Sequence, residues 1–293
     1  MIVECAPLAG YTTAEFRAVL AECGARVLYT EMVSVAAIYH GSKKTLKLLE
    51  RVGGKTPGAD APPPLRKGEG FEKNSEARVR EVVQLFGHVP AQFEFAVRSG
   101  LLCGFDEINI NMGCPANKIV KNSEGVSLMR EDENGDWPVA REIIEACVRV
   151  SDKPVSVKMR LGAKKPGAGE RGRYVDFAKM CERAGASRLI VHGRYGSEGF
   201  GGVANWEAIG EIVRAVGIPV IANGDIRNIE DAKRCMEITG ASGVMVGRML
   251  LPLYKKYFGA NLRILRGEKI CVDGGFDTCM DNLRGFFEAA ERA

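Results

Sequence analysis

The stretch Glu107-Ile-Asn-Ile-Asn-Met-Gly-Cys-Pro-Ala-Asn-Lys118 determines how the rest of the chain is interpreted. Its first four residues indicate a buried strand, and Gly113 then loosens a turn that presents Cys114. An α/β enzyme exposes reactive side chains just beyond the carboxyl ends of its strands, so Cys114 is a candidate catalytic residue. The alternative is that Cys114 is a small apolar residue closing the turn, as free cysteines usually are.

Segments that resemble this strand alternate with amphipathic segments along most of the chain. Strands are predicted at residues 2–6, 27–30, 82–86, 107–111, 154–159, 188–192, 219–223 and 243–246. Helices are predicted at residues 13–23, 90–102, 137–150, 175–184, 206–216 and 229–239. Apolar strands separated by helices imply a parallel sheet that is covered on both faces. Eight such units, with no G-x-G-x-x-G turn after the first strand, predict a closed (β/α)8 TIM barrel.

Two regions depart from this alternation. Residues 52–70 are rich in Gly and Pro and are predicted to form a loop between strands two and three. After Leu251 strand signals end, and a last helix is predicted at residues 281–292. We therefore predict a catalytic barrel domain over residues 1–250 and a small helical appendage over residues 251–293.

The composition is that of an ordinary globular protein, with 46% apolar and 27% charged residues among 293. Apolar runs are too short to span a bilayer, and residues 1–7 lack the features of a signal peptide. The nine cysteines are scattered without a C-x-x-C pair, and there are three histidines. This pattern argues against disulfides and metal sites, and we expect a cytoplasmic protein.

The net charge is only +4, but the basic residues are clustered. Residues 43–80 contain ten Lys or Arg against five acidic residues, and further clusters lie at residues 162–173 and after residue 254. Clusters of this kind suit a polyanion bound on one face. Solvated loops explain them equally well.

The residues at the ends of most predicted strands form a coherent set. They are Pro7, Leu8 and Ala9 after strand one, Gln84 in strand three, Asn111 and Cys114 after strand four, Lys158 and Arg160 in strand five, His192 and Arg194 after strand six, Asn223, Gly224 and Asp225 after strand seven, and Gly247 and Arg248 after strand eight. Each alone has an ordinary explanation, such as a turn or a satisfied core histidine. Their occurrence at one end of successive strands favours a shared site.

The chemistry of this set suits flavin mononucleotide (FMN). Gly224 and Gly247 let backbone N–H groups approach an anion, and Arg248 adds a bidentate cation, which predicts a phosphate site after strands seven and eight. The Gln84 amide can donate to and accept from a heterocycle. Lys158 can hold negative charge on a reduced ring.

With these motifs in place, the chain resembles the tRNA-dihydrouridine synthase family over roughly residues 3–250. The matching segments are Ala6-Pro-Leu-Ala-Gly-Tyr-Thr-Thr13 with Phe16-Arg17, Gln84-Leu-Phe-Gly87, Asn109-Ile-Asn-Met-Gly-Cys-Pro115 with Lys118-Ile-Val-Lys-Asn122, Val157-Lys-Met-Arg160, His192-Gly-Arg194, Ile221-Ala-Asn-Gly-Asp225 and Val246-Gly-Arg248.

The resemblance implies an FMN enzyme that reduces uridine in tRNA to 5,6-dihydrouridine with NADPH as electron source. Hydride passes from flavin N5 to C6 of the uracil, and Cys114 is the general acid that protonates C5. By the same analogy, the FMN-binding positions are Pro7, Leu8, Ala9, Gln84, Lys158, His192, Asn223, Gly224, Asp225, Gly247 and Arg248. Substrate-binding positions are Asn111, Lys118, Lys121, Arg160 and Arg194.

The chain departs from the family pattern at several places. Leu8 stands where the family usually has Met, and Tyr11-Thr-Thr-Ala14 replaces a turn that usually contains an acidic residue. Residues 52–70 look like an insertion, and the region after Leu251 is shorter than the family's helical domain, which contacts tRNA. We expect a monomer without a metal ion.

Two other functions fit the same residues. One is an FMN-barrel ene-reductase that acts on a small molecule such as a dihydropyrimidine, for which the basic clusters would be incidental. The other is a tRNA-binding module without catalysis, which would be colourless. The yellow colour of a bound flavin would distinguish either flavin enzyme from the non-catalytic tRNA-binding module.

Overall fold

Eight parallel strands close into a barrel in chain order, with the last strand paired to the first. A computed structural model describes residues 1–52, 78–167, 172–255 and 275–293. The strands are β1 (Ile2–Cys5), β2 (Val27–Ser34), β3 (Arg80–Phe86), β4 (Glu107–Met112), β5 (Val155–Met159), β6 (Leu189–His192), β7 (Val220–Asn223) and β8 (Gly243–Val246). The predicted (β/α)8 barrel is confirmed.

Helices surround this barrel. They are α1 (Ala14–Glu22), α2 (Val35–Tyr39), α3 (Lys43–Leu46), α4 (Pro90–Arg98), α5 (Asn117–Lys121), α6 (Pro138–Val150), α7 (Tyr174–Arg183), α8 (Trp206–Ala215), α9 (Ile229–Thr239) and α10 (Gly275–Arg292). The six helices predicted between strands are present. Sequence analysis missed α2, α3 and α5 because four or five residues are too few to show a helical period.

The ends of α9 illustrate why these segments form helices. Asn228 is the N-cap, and its side-chain oxygen accepts from Asp231 N at 2.7 Å. At the other end Gly240 adopts a left-handed conformation with φ of 65° and donates to Met236 O. A side-chain acceptor at the start and a glycine at the end satisfy backbone groups that a helix terminus leaves unpaired.

Strand β2 is longer than the predicted segment 27–30. Its pairing with β3 shifts register between Tyr29 and Met32, after which Met32 lies beside Gln84. Such irregularities re-aim side chains near sites. Here the shift brings Met32 to the carboxyl end of the barrel.

The last helix packs directly on the barrel. α10 contacts β1 and α9, and its residues Met280, Leu283 and Phe286 are buried in the same apolar core as the barrel strands. The amino group of Met1 also donates to Ala290 O at 2.9 Å. The boundary between residues 250 and 251 stays a prediction. Residues 53–70 of the predicted loop and residues 256–274 lie outside the described residues.

Two apolar layers result from the alternation of side chains along each strand. The larger layer lies between the strands and the helices. The smaller one fills the barrel interior and comprises Ala6, Val27, Tyr29, Val82, Ile190, Ile221 and Met245. Strand β4 shows the alternation, because Ile108 and Ile110 join the outer layer while Glu107, Asn109 and Asn111 do not. The interior is therefore more polar than the predicted continuous apolar strands suggested.

A charged cluster lies in this interior, with each member at most 2% exposed. Arg188 precedes β6 and donates from Nε to both carboxylate oxygens of Glu107 at 3.1 Å. It also pairs with Glu4, and its Nη2 donates to the Tyr29 hydroxyl at 2.8 Å. Tyr29 in turn donates to Glu4 at 2.7 Å. One guanidinium therefore links β1, β2 and β4 across the barrel.

Among the described residues, no helix is both long and apolar enough to cross a bilayer.

Replacing Arg188 with Met should destabilise the protein by about 3–5 kcal/mol, because it leaves the buried Glu4 carboxylate without the cation that pairs with it and leaves Glu107 with Arg80, 3.3 Å away. Urea unfolding measures the loss. The control is Arg98→Met, which removes an exposed partner of Glu94 3.0 Å away and should cost less than about 1 kcal/mol. Equal, small losses for both variants would contradict a structural role for the interior cluster.

Candidate active site at the barrel mouth

The carboxyl ends of the strands surround a cavity of about 1830 Å³. Every position predicted to hold FMN lines it: Pro7, Leu8, Ala9, Gln84, Lys158, His192, Asn223, Gly224, Asp225, Gly247 and Arg248. Cys114, Asn111 and Arg160 line it as well. The fold therefore brings together residues that are spread over 240 positions in sequence.

Asn111 fixes the turn that carries Cys114. Its Oδ1 accepts from the backbone N–H groups of Gly113 and Cys114, at 3.1 and 2.9 Å. Its Nδ2 donates to Gln84 Oε1 at 2.8 Å and lies 2.9 Å from Met32 Sδ. All hydrogen-bonding groups of the amide are thus engaged within the protein. In this arrangement Asn111 positions Cys114, and its predicted role in substrate binding would require one of these bonds to break.

A line of hydrogen bonds continues from Asn111 into the barrel. Gln84 Nε2 donates to Asn109 Oδ1 at 2.7 Å, and Asn109 Nδ2 donates to Ser156 Oγ at 2.8 Å. The Ser156 hydroxyl donates to Glu107. A carboxylate can only accept, so Glu107 sets the direction of every bond in the line. At the far end, this direction leaves Asn111 Oδ1 facing the Cys114 turn.

The Cys114 thiol is partly exposed to the cavity and carries a proton at neutral pH. Burial raises its pKa above the ordinary thiol value of 9.0. A backbone hydrogen bond from Ala116 and the charges of Arg160 and Lys158 act in the opposite direction, but they do not cancel the effect of burial. A protonated thiol is what a general acid requires, and the two cations would stabilise the thiolate that remains after proton transfer.

Lys158 projects from β5 into the cavity wall. Its Nζ lies 3.1 Å from Asn223 Oδ1, and Asn223 is itself held by donating from Nδ2 to Met245 O at 2.8 Å. Burial, aided by the charge of Arg160, lowers the pKa of Lys158 from 10.5 to about 7. A lysine with this pKa gains a proton when an anion binds beside it, so it suits a group that develops negative charge.

His192 is neutral at physiological pH. Burial and the charges of Lys158 and Arg160 lower its pKa to about 2. Its Nδ1 is buried, and no group in the described part of the chain hydrogen-bonds to it. A buried nitrogen without a partner in a cavity wall is the kind of group that a bound ligand satisfies.

The turn after β7 needs an unusual backbone. Gly224 has φ of 118° and Asp225 has φ of 58°. A Cβ added at Gly224 would lie 2.8 Å from Ala204 Cβ, so a side chain does not fit there. At Gly247 an added Cβ meets no atom closer than 3.5 Å, which leaves that backbone open to the cavity. These features fit the close approach of a bound group to the loops after β7 and β8.

Asp225 organises the cations around that turn. It accepts from Arg194 Nη2 at 2.7 Å, Arg248 Nη2 at 2.6 Å and Ala204 N at 2.7 Å. Burial acts to raise the pKa of its carboxyl, but these hydrogen bonds and the two guanidinium charges outweigh burial, and the pKa is lowered. Asp225 is therefore ionised, and it holds Arg248 at the cavity edge.

The predicted substrate residues divide into two groups. Arg160 lines the cavity, whereas Arg194 lies behind the cavity wall and is only 1% exposed. Arg194 donates from Nε to Gly201 O and from Nη2 to Gly202 O and Asp225. Lys118 and Lys121 lie on α5 with exposed side chains and do not line the cavity. Contact of these three residues with a target base is thus not supported by their positions, although the exposed lysines remain available to phosphates.

Sequence reasoning missed several residues of the site. Asn109 and Ser156 alternate with apolar neighbours on β4 and β5, and this period of two would have placed them with Asn111 and Lys158 on the inner face. Met32 lies beyond the predicted end of β2, and no local pattern indicates it. Phe200 lines the cavity from the loop after β6, where it stands between glycines. In the part of the chain that the structure describes, no cluster of three or more His, Cys, Asp or Glu side chains could hold a metal ion.

Replacing Ser156 with Ala should loosen the Cys114 turn, because Asn109 loses its acceptor and the direction of the line is no longer fixed. Amide exchange of Gly113 and Cys114, followed by NMR or peptide mass spectrometry, should accelerate about 5-fold. Tyr29→Phe is the control, since it removes an equally buried hydroxyl outside the line. Unchanged exchange in Ser156→Ala, or equal acceleration in both variants, would refute this coupling.

The lowered pKa of Lys158 predicts how the stability of the cofactor-free protein depends on pH. The unfolded chain binds more protons than the folded one between about pH 7 and pH 10.5, so the contribution of Lys158 to stability rises with pH across this window. Lys158→Met removes this contribution. We expect the urea midpoint of the variant, measured at about pH 6.5, 8 and 9.5, to exceed that of wild type by the largest margin at the lowest pH. A difference that does not vary with pH would contradict the burial of the ammonium group.

Residues 4–252 match the family model described as dihydrouridine synthase. Among solved structures, a mandelate oxidase bound to (S)-2-phenylpropionate aligns with a TM-score of 0.53 at 20% identity, covering 100% of this chain and 77% of that one. A mutant (S)-mandelate dehydrogenase aligns with a TM-score of 0.55 at 15% identity, covering 100% and 74%. At such identities these structures support the barrel fold alone.

Curated relatives are more similar in sequence. A protein named probable tRNA-dihydrouridine synthase 1 of Synechocystis sp. is 37% identical over 244 residues, which cover 83% of this chain and 59% of the relative. tRNA-dihydrouridine synthase B of Pseudomonas aeruginosa is 34% identical over 244 residues, which cover 83% and 64%. The matched stretch thus spans less than two thirds of either relative. Because the family model matches residues 4–252, which is most of this chain, the chain belongs to the dihydrouridine synthase family.

Proposed function

We propose that this protein reduces uridine in tRNA to 5,6-dihydrouridine, with FMN bound in the barrel-mouth cavity and NADPH as the electron source. The observation that carries the proposal is the Cys114 turn. A protonated thiol is held by Asn111 at the wall of a cavity that also contains Lys158 and the predicted flavin positions. Membership of the dihydrouridine synthase family supports the same reaction.

The lining residues fit FMN in their chemistry. The open backbone at Gly247, with Arg248 beside it, suits the phosphate, and the unpartnered His192 Nδ1 suits a polar atom of the cofactor. Lys158 is placed to offset negative charge on the reduced ring system. A bound flavin would supply the hydride that adds to C6 of the uracil, with NADPH as its electron source.

The residues of the chain account for the second half of the reaction. Hydride addition at C6 places the electron pair of the C5–C6 double bond on C5 and the adjoining carbonyl. The Cys114 thiol transfers its proton to C5, which completes dihydrouracil and leaves a thiolate. Lys158 and Arg160 are the cations that stabilise this thiolate until solvent returns a proton.

Arg160 is the residue best placed to hold the uracil. Its Nε donates to Gly113 O at 2.9 Å, so its guanidinium is anchored to the Cys114 turn. Its Nη1 donates to Tyr195 O and Gly199 O, whereas no described residue accepts a hydrogen bond from Nη2. Donation from Nη2 to a uracil carbonyl would orient the base beside the thiol. The target nucleotide has to leave the RNA stack to reach it.

The proposal includes the remaining sequence predictions. Residues 1–250 form the catalytic domain, residues 251–293 contribute to tRNA contact, and Lys118 and Lys121 face the RNA phosphates. The protein acts as a monomer in the cytoplasm.

Replacing Cys114 with Ala should lower dihydrouridine formation about 100-fold or more, because general acid catalysis typically contributes factors of this size. The measurement is mass spectrometry of an unmodified tRNA transcript after incubation with NADPH. Flavin content should stay at the wild-type level. Cys103→Ala is the matched control, since Cys103 is exposed and lies outside the cavity wall.

Two results would contradict the proposal. Wild-type turnover in Cys114→Ala would exclude the general-acid role. A wild-type protein that forms no dihydrouridine in tRNA, but oxidises NADPH in the presence of free uracil or an enone, would instead favour the small-molecule ene-reductase.

A further inference from the structure

Phe200 is an exposed aromatic residue at the edge of the cavity. Its side chain lies in the loop between β6 and α8 (residues 193–205, the β6 loop) and is 64% exposed. Burial of a phenylalanine side chain is favourable, so an exposed one at a cavity edge is a candidate contact for a ligand. Single exposed apolar residues are common on protein surfaces, and exposure alone decides nothing.

The backbone around Phe200 is held in place by two buried arginines. Arg160 Nη1 donates to Tyr195 O at 3.0 Å and to Gly199 O at 2.8 Å. Arg194 donates to Gly201 O at 2.8 Å and to Gly202 O at 2.7 Å. The carbonyls on both sides of Phe200 are therefore fixed by cations that are 4% and 1% exposed. This arrangement holds an aromatic ring outward in a defined position, as preorganised binding sites do.

The surroundings of the ring are positively charged. The guanidinium carbons of Arg160 and Arg248 lie 5.7 and 5.9 Å from the ring centroid. Among the described residues that line the cavity, six are Lys or Arg and three are acidic. Two of the acids, Glu198 and Asp225, are already paired with Lys165 and with Arg194 and Arg248. An exposed ring among cations matches the combination of stacking surface and charge that binds single-stranded nucleic acid.

We propose that Phe200 is a stacking platform for a nucleobase of the RNA substrate, adjacent to the nucleotide that enters the cavity. Phe has no hydrogen-bonding group, so the subsite accepts any base and stabilises the unstacked strand without reading sequence. The inference rests on the proposed function, because it assigns a second contact to the same substrate.

The test is binding of an unmodified tRNA transcript to the flavin-loaded protein, measured by fluorescence anisotropy over a series of salt concentrations. Phe200→Ala and Phe200→Leu should weaken binding about 5- to 150-fold, the range expected for loss of one base–aromatic stack. Because no phosphate contact is lost, the slope of log Kd against log salt should not change. Phe200→Trp keeps the aromatic face and should bind within about 3-fold of wild type.

Val203→Ala is the matched control, because Val203 is 81% exposed in the same loop but does not line the cavity. It should bind tRNA like wild type. Flavin content, read from the visible spectrum, should be the same in all variants.

Three results would overturn the inference. Wild-type affinity in Phe200→Ala would show that no base stacks on the ring. A fall in flavin content would show that Phe200 shields the cofactor. A changed salt slope would show that the substitution disturbs the arginines. If wild type itself bound no tRNA, the proposed function would fail first, so the two failures are distinguishable.

Discussion

The Glu107 carboxylate is the group on which the arrangement of the site depends. It accepts hydrogen bonds from Arg188 on one side and from Ser156 on the other. Because it cannot donate, it imposes one direction on the side-chain bonds that lead to Asn111, and Asn111 holds the Cys114 turn. A charge inside the barrel thus orients a thiol at its mouth, and the desolvation of that charge is offset by Arg188.

The second constraint is the concentration of basic side chains in the buried wall of the cavity. Lys158, Arg160 and His192 all have lowered pKa values, and burial is the largest cause for each. The site therefore holds positive charge at a cost in free energy, which an anionic or electron-rich ligand would reduce. Asp225 offsets part of this charge at the turn after β7 and in doing so fixes Arg248.

Much of the site was predictable, because the chemistry of a parallel barrel lies at one end of its strands. Once the strands were recognised from their apolar pattern, Gln84, Lys158 and Asn223 fell at that end, and the cavity contains all three. The roles of Asn111 and Arg194 were not predictable. An amide and a guanidinium at a strand end have the same sequence signature whether their donors face a ligand or bind backbone carbonyls elsewhere in the fold.

The sequence by itself determined the barrel, the order of its strands and the types of residue at its mouth. These properties follow from local periodicity, from glycines in turns and from a motif around Cys114 that is specific enough to indicate the family. Tertiary structure alone decided which side chains are free to act. Whether Arg160 or Phe200 faces the cavity depends on contacts between loops that are far apart in the chain, and hydrogen-bond saturation is a property of those contacts.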